Sequence, residues 1–123
     1  MKTIVAGSRT IKDKSLVAYV IKRSGFKITE VVSGRAKGVD TLGEEVAHDL
    51  GVSVKPFPAN WNKHGKAAGY IRNQEMADYA EALIAIWDGK SRGTRDMISR
   101  AKKKGLKVFV HNLQDDWFDW SGR

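Results

Sequence analysis

Glu30-Val31-Val32-Ser33-Gly34-Arg35-Ala36-Lys37-Gly38-Val39-Asp40, continuing through Leu42, Val46, Ala47 and Leu50 to Gly51-Val52-Ser53-Val54, is the stretch that decides the fold. Its opening β-branched residues read as a strand, and a glycine-bearing loop follows. Val39, Leu42, Val46, Ala47 and Leu50 then recur at the spacing of one helical face, with Gly51 as the C-cap and Val52-Ser53-Val54 as a second strand. Strand, loop, helix, strand is a βαβ unit, and such a crossover is right-handed between parallel strands.

The same alternation runs outward in both directions. Toward the N-terminus, Thr3-Ile4-Val5-Ala6 is a short apolar run ending at Gly7, as in a strand buried on both faces. Asp13 precedes Leu16, Val17, Val20 and Ile21 on one helical face, and Ser24-Gly25 stops that helix. Toward the C-terminus, a loop through Pro56, Pro58 and Trp61 leads to a helix from about Lys66 to Tyr79, with Ile71, Met76, Tyr79 and Ala80 as its buried positions. Ala82-Leu83-Ile84-Ala85-Ile86-Trp87 is the strongest strand. A last helix from about Thr94 to Lys104 is closed by Gly105, and Leu106-Lys107-Val108-Phe109-Val110 is a fifth strand. The expectation is an α/β, Rossmann-like three-layer domain over residues 1–110, with a mainly parallel sheet of about five strands. Residues 111–123 break the pattern as an acidic, aromatic tail with Asp115, Asp116, Trp117, Phe118, Asp119 and Trp120, either packed on the domain or used for a partner.

Composition narrows the function. The chain has 123 residues, enough for one domain with a real core. It has no cysteine, which removes disulfides and thiolate zinc sites and suits a reducing compartment. Met1 runs straight into the first strand with no signal-like segment, and no apolar stretch is long enough to span a bilayer, so the expected location is cytoplasmic, with no membrane partner. A net charge of +8 and a pI near 9.8 favour anionic partners.

The strand-to-helix loops share one edge of a parallel sheet, and that is where the informative residues fall. The first is Gly7-Ser8-Arg9, with a glycine for close approach and an arginine suited to phosphate or carboxylate. The second, Ser33-Gly34-Arg35-Ala36-Lys37-Gly38-Val39-Asp40, has the glycines, hydroxyl and helix start of a phosphate cradle, although its spacing is neither G-x-G-x-x-G nor a Walker A loop. Asp40 reads equally as a helix cap or as an acceptor for a ribose hydroxyl. The third loop carries Trp61, placed either on a base or over the core, and Lys66, while His64 lacks partners for a metal. Arg72 and Glu75 share a helix face near the ligand edge. The fourth loop, Asp88-Gly89-Lys90-Ser91-Arg92-Gly93-Thr94-Arg95-Asp96, is a second candidate cradle. No metal or cofactor is called for.

Gly7-Ser8-Arg9, the 33–40 loop and Gly65-Lys66-Ala67-Ala68-Gly69-Tyr70-Ile71-Arg72-Asn73-Gln74-Glu75-Met76, in this order, resemble the SLOG superfamily (named for Smf/DprA and LOG proteins), specifically its small YspA-like branch of bacteria and phages. The LOG enzymes, which are phosphoribohydrolases, carry an Arg-Lys-x-x-Met helix and a Gly-Gly-x-Gly-Thr-x-x-Glu loop, to which Arg72-Asn73-Gln74-Glu75-Met76 and Gly93-Thr94 are similar. The resemblance implies that Arg72 faces the ligand, that Gly93 and Thr94 contact phosphate, and that the protein is a homo-oligomer such as a dimer. It departs at the family's catalytic glutamate, which falls on Met97.

Three functions follow. The first is binding of a phosphate-bearing nucleotide or nucleotide-derived small molecule, in a sensor or sequestering role, through Gly7, Ser8, Arg9, Ser33, Gly34, Arg35, Gly38, Asp40, Trp61, Lys66, Arg72, Asn73, Asp88, Gly89, Gly93 and Thr94. The second is N-glycosidic hydrolysis of a nucleoside 5′-monophosphate, which needs a carboxylate near the ribose and has Arg72, Glu75 and Asp96 as its catalytic candidates. The third is DprA-like binding of single-stranded DNA over a basic surface.

Overall fold

In a computed structural model, which describes residues 1–113, five parallel strands lie in the order β3-β2-β1-β4-β5. They are β1 (Lys2–Gly7), β2 (Glu30–Ser33), β3 (Ser53–Pro56), β4 (Ala82–Trp87) and β5 (Lys107–Asn112). The helices between them are α1 (Lys14–Ser24), α2 (Val39–Asp49), α3 (Trp61–His64), α4 (Ala68–Tyr79) and α5 (Arg92–Lys103), with a 3₁₀ turn at Gly65–Ala67 leading into α4. The Rossmann-like α/β expectation stands.

Successive strand residues point to opposite faces, so one apolar run feeds two cores. Ile4, Val32, Leu83 and Ala85 pack with Met76, Ala77, Met97 and Ile98 of α4 and α5. Val5, Val31, Ile84 and Ile86 pack with Val17, Val20, Val39 and Val46 of α1 and α2. Helices therefore cover both faces, as parallel strands buried on both sides require. Asp13 caps α1 by accepting from the Ser15 and Leu16 amides at 2.9 and 3.3 Å, and Gly25 ends it in the left-handed region at φ 72°.

The differences from the sequence reading have local causes. Strand β3 sits at 53–56 rather than 52–54, and β5 continues through His111 and Asn112, which the sequence pattern assigns to the tail. The rest of that tail, from residue 114, lies outside the described residues. The third loop contains the one-turn helix α3, capped by Asn60, whose side chain accepts from the Lys63 amide at 3.0 Å. On α4, Ile71 is exposed while Asn73 is buried, because Asn73 finds hydrogen-bond partners that hydropathy does not reveal. Leu50, at the end of α2, is 64% exposed.

The chain adds β2 and β3 on one side of β1, then returns to place β4 and β5 on the other. Helices leaving β1 and β4 diverge to opposite faces, which opens a crevice at the carboxyl ends of these two strands.

Candidate functional site

A cavity of about 410 Å³ lies at that crevice. Its walls come from four strand-to-helix connections and the first turns of α4 and α5. The end of β1 contributes Gly7, Ser8 and Arg9; the start of α2, Asp40; the third connection, Trp61 and Lys66; α4, Arg72 and Asn73; and the last connection, Asp88, Gly93 and Thr94. Eleven of the residues anticipated for nucleotide binding thus converge, and a volume of this size suits a small-molecule site. Trp61 is 52% exposed, so its indole belongs to the cavity wall and not to the core.

Arg72 is the best-defined charge in the cavity. Its Nη1 donates to the Gly34 carbonyl and its Nε donates to the Asn73 side-chain oxygen at 3.1 Å. Asn73 is held in turn, donating to the Gly93 carbonyl at 3.3 Å and to the Asp96 carboxylate at 3.0 Å. Asp96 also accepts from Arg100 at 2.8 Å. The guanidinium is thereby oriented by neutral groups. Among the described residues no carboxylate oxygen comes within 4.0 Å of it. Burial lowers its pKa, Asp40 opposes that shift, and Arg9 adds to it.

Two carboxylates occupy the loops that looked like phosphate cradles. Asp40 is buried, and desolvation pushes its pKa up to about 6 against the pull of Arg72 and of backbone contacts at Ala36 and Gly7. It accepts from the Ala36 amide at 3.3 Å, while the Arg35 amide donates to Ser33 at 3.2 Å. Asp88 accepts from the Lys90 and Ser91 amides, both at 2.8 Å, and these bonds hold its pKa below the usual carboxylate value. Ser8 ties the two central strands together by accepting from the Asp88 amide at 3.1 Å. Amides in both loops therefore already serve the protein's own oxygens.

Several anticipated residues stand elsewhere. Ser33, Gly34, Arg35, Gly38 and Gly89 are not in the cavity wall. Ser33 donates to Glu44 at 2.6 Å, and Arg35 pairs with the same carboxylate at 3.2 Å. Gly34 and Gly38 are glycines for the sake of packing: a Cβ on Gly34 would meet the Arg72 guanidinium at 2.6 Å, and one on Gly38, at φ +78°, would meet the Ser8 carbonyl at 2.5 Å. Glu75 lines a separate groove with Gln74 and Arg100, so its catalytic assignment loses its geometry. Asp96 is hydrogen-bonded to Asn73 and Arg100 and is absent from the cavity wall; the residue lining the cavity there is Met97.

The sequence reading missed Gly69, Tyr70 and Ser91, which also line the cavity. Ser91 had a legible signal, since it caps α5 by accepting from the Thr94 amide at 3.5 Å. Gly93 and Thr94 accordingly lie inside the first turn of α5, not in a loop before it. Among the described residues no cluster of His, Cys, Asp and Glu fits a metal, and no helix is long and apolar enough to cross a membrane.

A parallel sheet ordered β3-β2-β1-β4-β5, with a cavity at the carboxyl ends of β1 and β4 where the strand order reverses, places the molecule among Rossmann-like α/β proteins. Within that class the chain belongs to the YspA, cpYpsA-related SLOG family (YAcAr), whose model matches residues 1–64. Gene 61 protein of Mycobacterium phage D29 is 35% identical over 117 residues, covering 87% of this chain and 93% of that protein. The uncharacterized SPbeta prophage-derived protein YoqJ of Bacillus subtilis (strain 168) is 39% identical over 46 residues, 37% of this chain and 27% of that protein. The fold is similar to that of DNA processing protein A (DprA) from Streptococcus pneumoniae, with a TM-score of 0.71 at 20% identity over 98% of this chain and 56% of that one. Family and site together support a nucleotide or nucleic-acid binding role in general.

Proposed function

We propose that the protein binds a phosphate-bearing nucleotide, or a molecule derived from one, in the cavity between β1 and β4, and acts as a sensor or sequestering protein. The observation that carries this reading is Arg72: a half-buried guanidinium, aimed by Gly34 and Asn73, with no carboxylate in contact among the described residues. A fixed cation in a partly desolvated cleft favours an anion strongly, because the side chain is already ordered and the local dielectric is low. Lys66 and Arg9 add positive charge to the same cavity.

The first turn of α5 is the natural seat for the phosphoryl group. Its Arg92 and Gly93 amides precede any partner within the helix, while the Thr94 amide is capped by Ser91 and the Thr94 hydroxyl lies 3.1 Å from the Ser91 hydroxyl. Because Asp40 already engages an amide of the loop after β2 and Asp88 the Lys90 and Ser91 amides just before α5, one phosphoryl group fits better than a chain of them. Trp61 offers a stacking face for the base and Asp40 an acceptor for a ribose hydroxyl. Met97, standing where hydrolysis would want a carboxylate, favours binding over glycosidic cleavage.

Calorimetry and thermal shift with AMP, GMP, CMP, UMP, ribose 5-phosphate and ATP test the reading. At least one monophosphate should bind, raising stability by about 2 kcal/mol at several tens of Kd, and ATP should bind more weakly. Arg72→Ala should weaken that monophosphate at least about tenfold. Absence of binding by every monophosphate at low salt would overturn the proposal.

A further inference from the structure

Glycines around the cavity fall into two kinds. Gly34 and Gly38 are demanded by protein atoms, as described above. Gly69 is not. It lies in the first turn of α4, and its backbone is not in the left-handed region. A Cβ there would lie 3.6 Å from Trp61 Cη2 and 3.8 Å from Arg72 Nη2, ordinary contact distances that would add packing. Glycine is among the poorest helix formers, so the fold alone would gain from alanine at this position. Gly93 is its counterpart on α5: it too lines the cavity, lacks a left-handed φ, and a Cβ there would meet nothing within 4 Å beyond its chain neighbours and its own helix backbone.

We propose that Gly69 is a specificity-determining position, whose bare backbone keeps open the slot beside the Trp61 indole and the Arg72 guanidinium that receives the flat base of the ligand. The inference rests on the nucleotide reading above and adds an orientation to it: base toward α4 at Gly69, phosphoryl group toward α5 at Gly93. A methyl group on Gly69 would fill the space next to the indole edge while leaving the α5 end untouched. Of the Arg72 nitrogens, Nε and Nη1 are spent on Asn73 and Gly34, and Nη2 lies 3.8 Å from where a Gly69 Cβ would stand. An aromatic ring beside an indole and a guanidinium gains stacking and cation–π attraction, which a sugar phosphate without a base does not.

The test compares two probes on the full chain: whichever of AMP, GMP, CMP or UMP binds tightest, and ribose 5-phosphate, which has no base. Gly69→Ala should melt at the wild-type temperature or about 3 °C higher. It should lose at least about tenfold in affinity for the nucleotide and less than about twofold for ribose 5-phosphate. Gly93→Ala should lose affinity for both probes, and Trp61→Ala should follow the Gly69→Ala pattern. Nucleotide binding by Gly69→Ala at wild-type strength overturns the assignment, and so does an equal loss for both probes, because the methyl would then be acting on the phosphoryl end. If the wild-type protein binds neither probe, the nucleotide reading itself falls.

Discussion

Asp40 carries its carboxyl group in the first turn of α2, out of water, with Arg72 across from it on α4, Glu44 behind it on its own helix, and Ala36 and Gly7 donating from backbone. Desolvation wins over these attractions, so its pKa in the fold is about 6. The unfolded chain titrates this group near 3.9, so the folded state holds the proton more tightly. The stability so contributed is complete below about pH 4, declines as pH rises, and is gone above about pH 6. A difference of that size between the two states corresponds to on the order of 3 kcal/mol. The amide introduced by Asp40→Asn cannot titrate, so the stability difference between wild type and this variant, measured by urea unfolding, should shift against the wild type by roughly that amount between pH 4 and pH 7. A difference that stays constant over this range would mean the carboxyl group is not desolvated. Asp88 differs in kind: the Ser91 and Lys90 amides hold its pKa below the usual carboxylate value.

At the scale of elements, the cavity depends on a relay that crosses from α5 to α4 and on to the loop after β2. Arg100 holds Asp96, Asp96 holds Asn73, Asn73 holds Arg72, and Arg72 reaches the Gly34 carbonyl. Asn73 is the link that uses both ends of its amide and is nearly inaccessible at 5% exposure. Asn73→Ala takes this partner from both Asp96 and Arg72, a change that typically costs about 1–3 kcal/mol. The expected result is a lower melting temperature together with weaker nucleotide binding, roughly tenfold, even though the guanidinium is still present. Full retention of affinity in this variant would show that Arg72 is oriented by Gly34 alone. Glu75 lies on α4 and Asp96 on α5, and the two helices pack together so that Asp96 is spent on positioning Asn73 while Glu75 lines a different groove.

For the molecule as a whole, the +8 charge is spread well beyond the cavity. Arg92, Arg95, Lys102 and Lys103 lie exposed on α5, with Lys104 and Lys107 just after it. Such a surface attracts any polyanion through counterion release, which depends steeply on salt. Single-stranded oligonucleotides should therefore bind at low salt and be lost by about 0.2 M, with several counterions released per molecule, whereas the mononucleotide should weaken far less over the same range. Titrations at three salt concentrations read this directly. An oligonucleotide affinity as tolerant of salt as that of the mononucleotide would instead argue for a specific single-stranded DNA site.

Much of this architecture was legible in one dimension. Apolar runs at 3–6, 31–32 and 82–87, each followed by glycine and then helical spacing, specify parallel strands with helices on both faces, because no other arrangement buries such runs and joins them by crossovers. The same reasoning pointed to the sheet edge at which the cavity opens and to Arg72, Trp61 and Thr94, which line that cavity. Tertiary packing alone decided what the glycines are for and which polar groups are free. Gly34 and Gly38 are small because Arg72 and the β1 loop press against them, Ser33 turns to Glu44, Ile71 faces outward while Asn73 is buried, and Asp40 and Asp88 fill loops that resembled phosphate cradles. The physical reason is that hydrophobic periodicity is a property of neighbouring residues along the chain, whereas satisfying a buried hydrogen-bonding group depends on atoms brought close only by the fold.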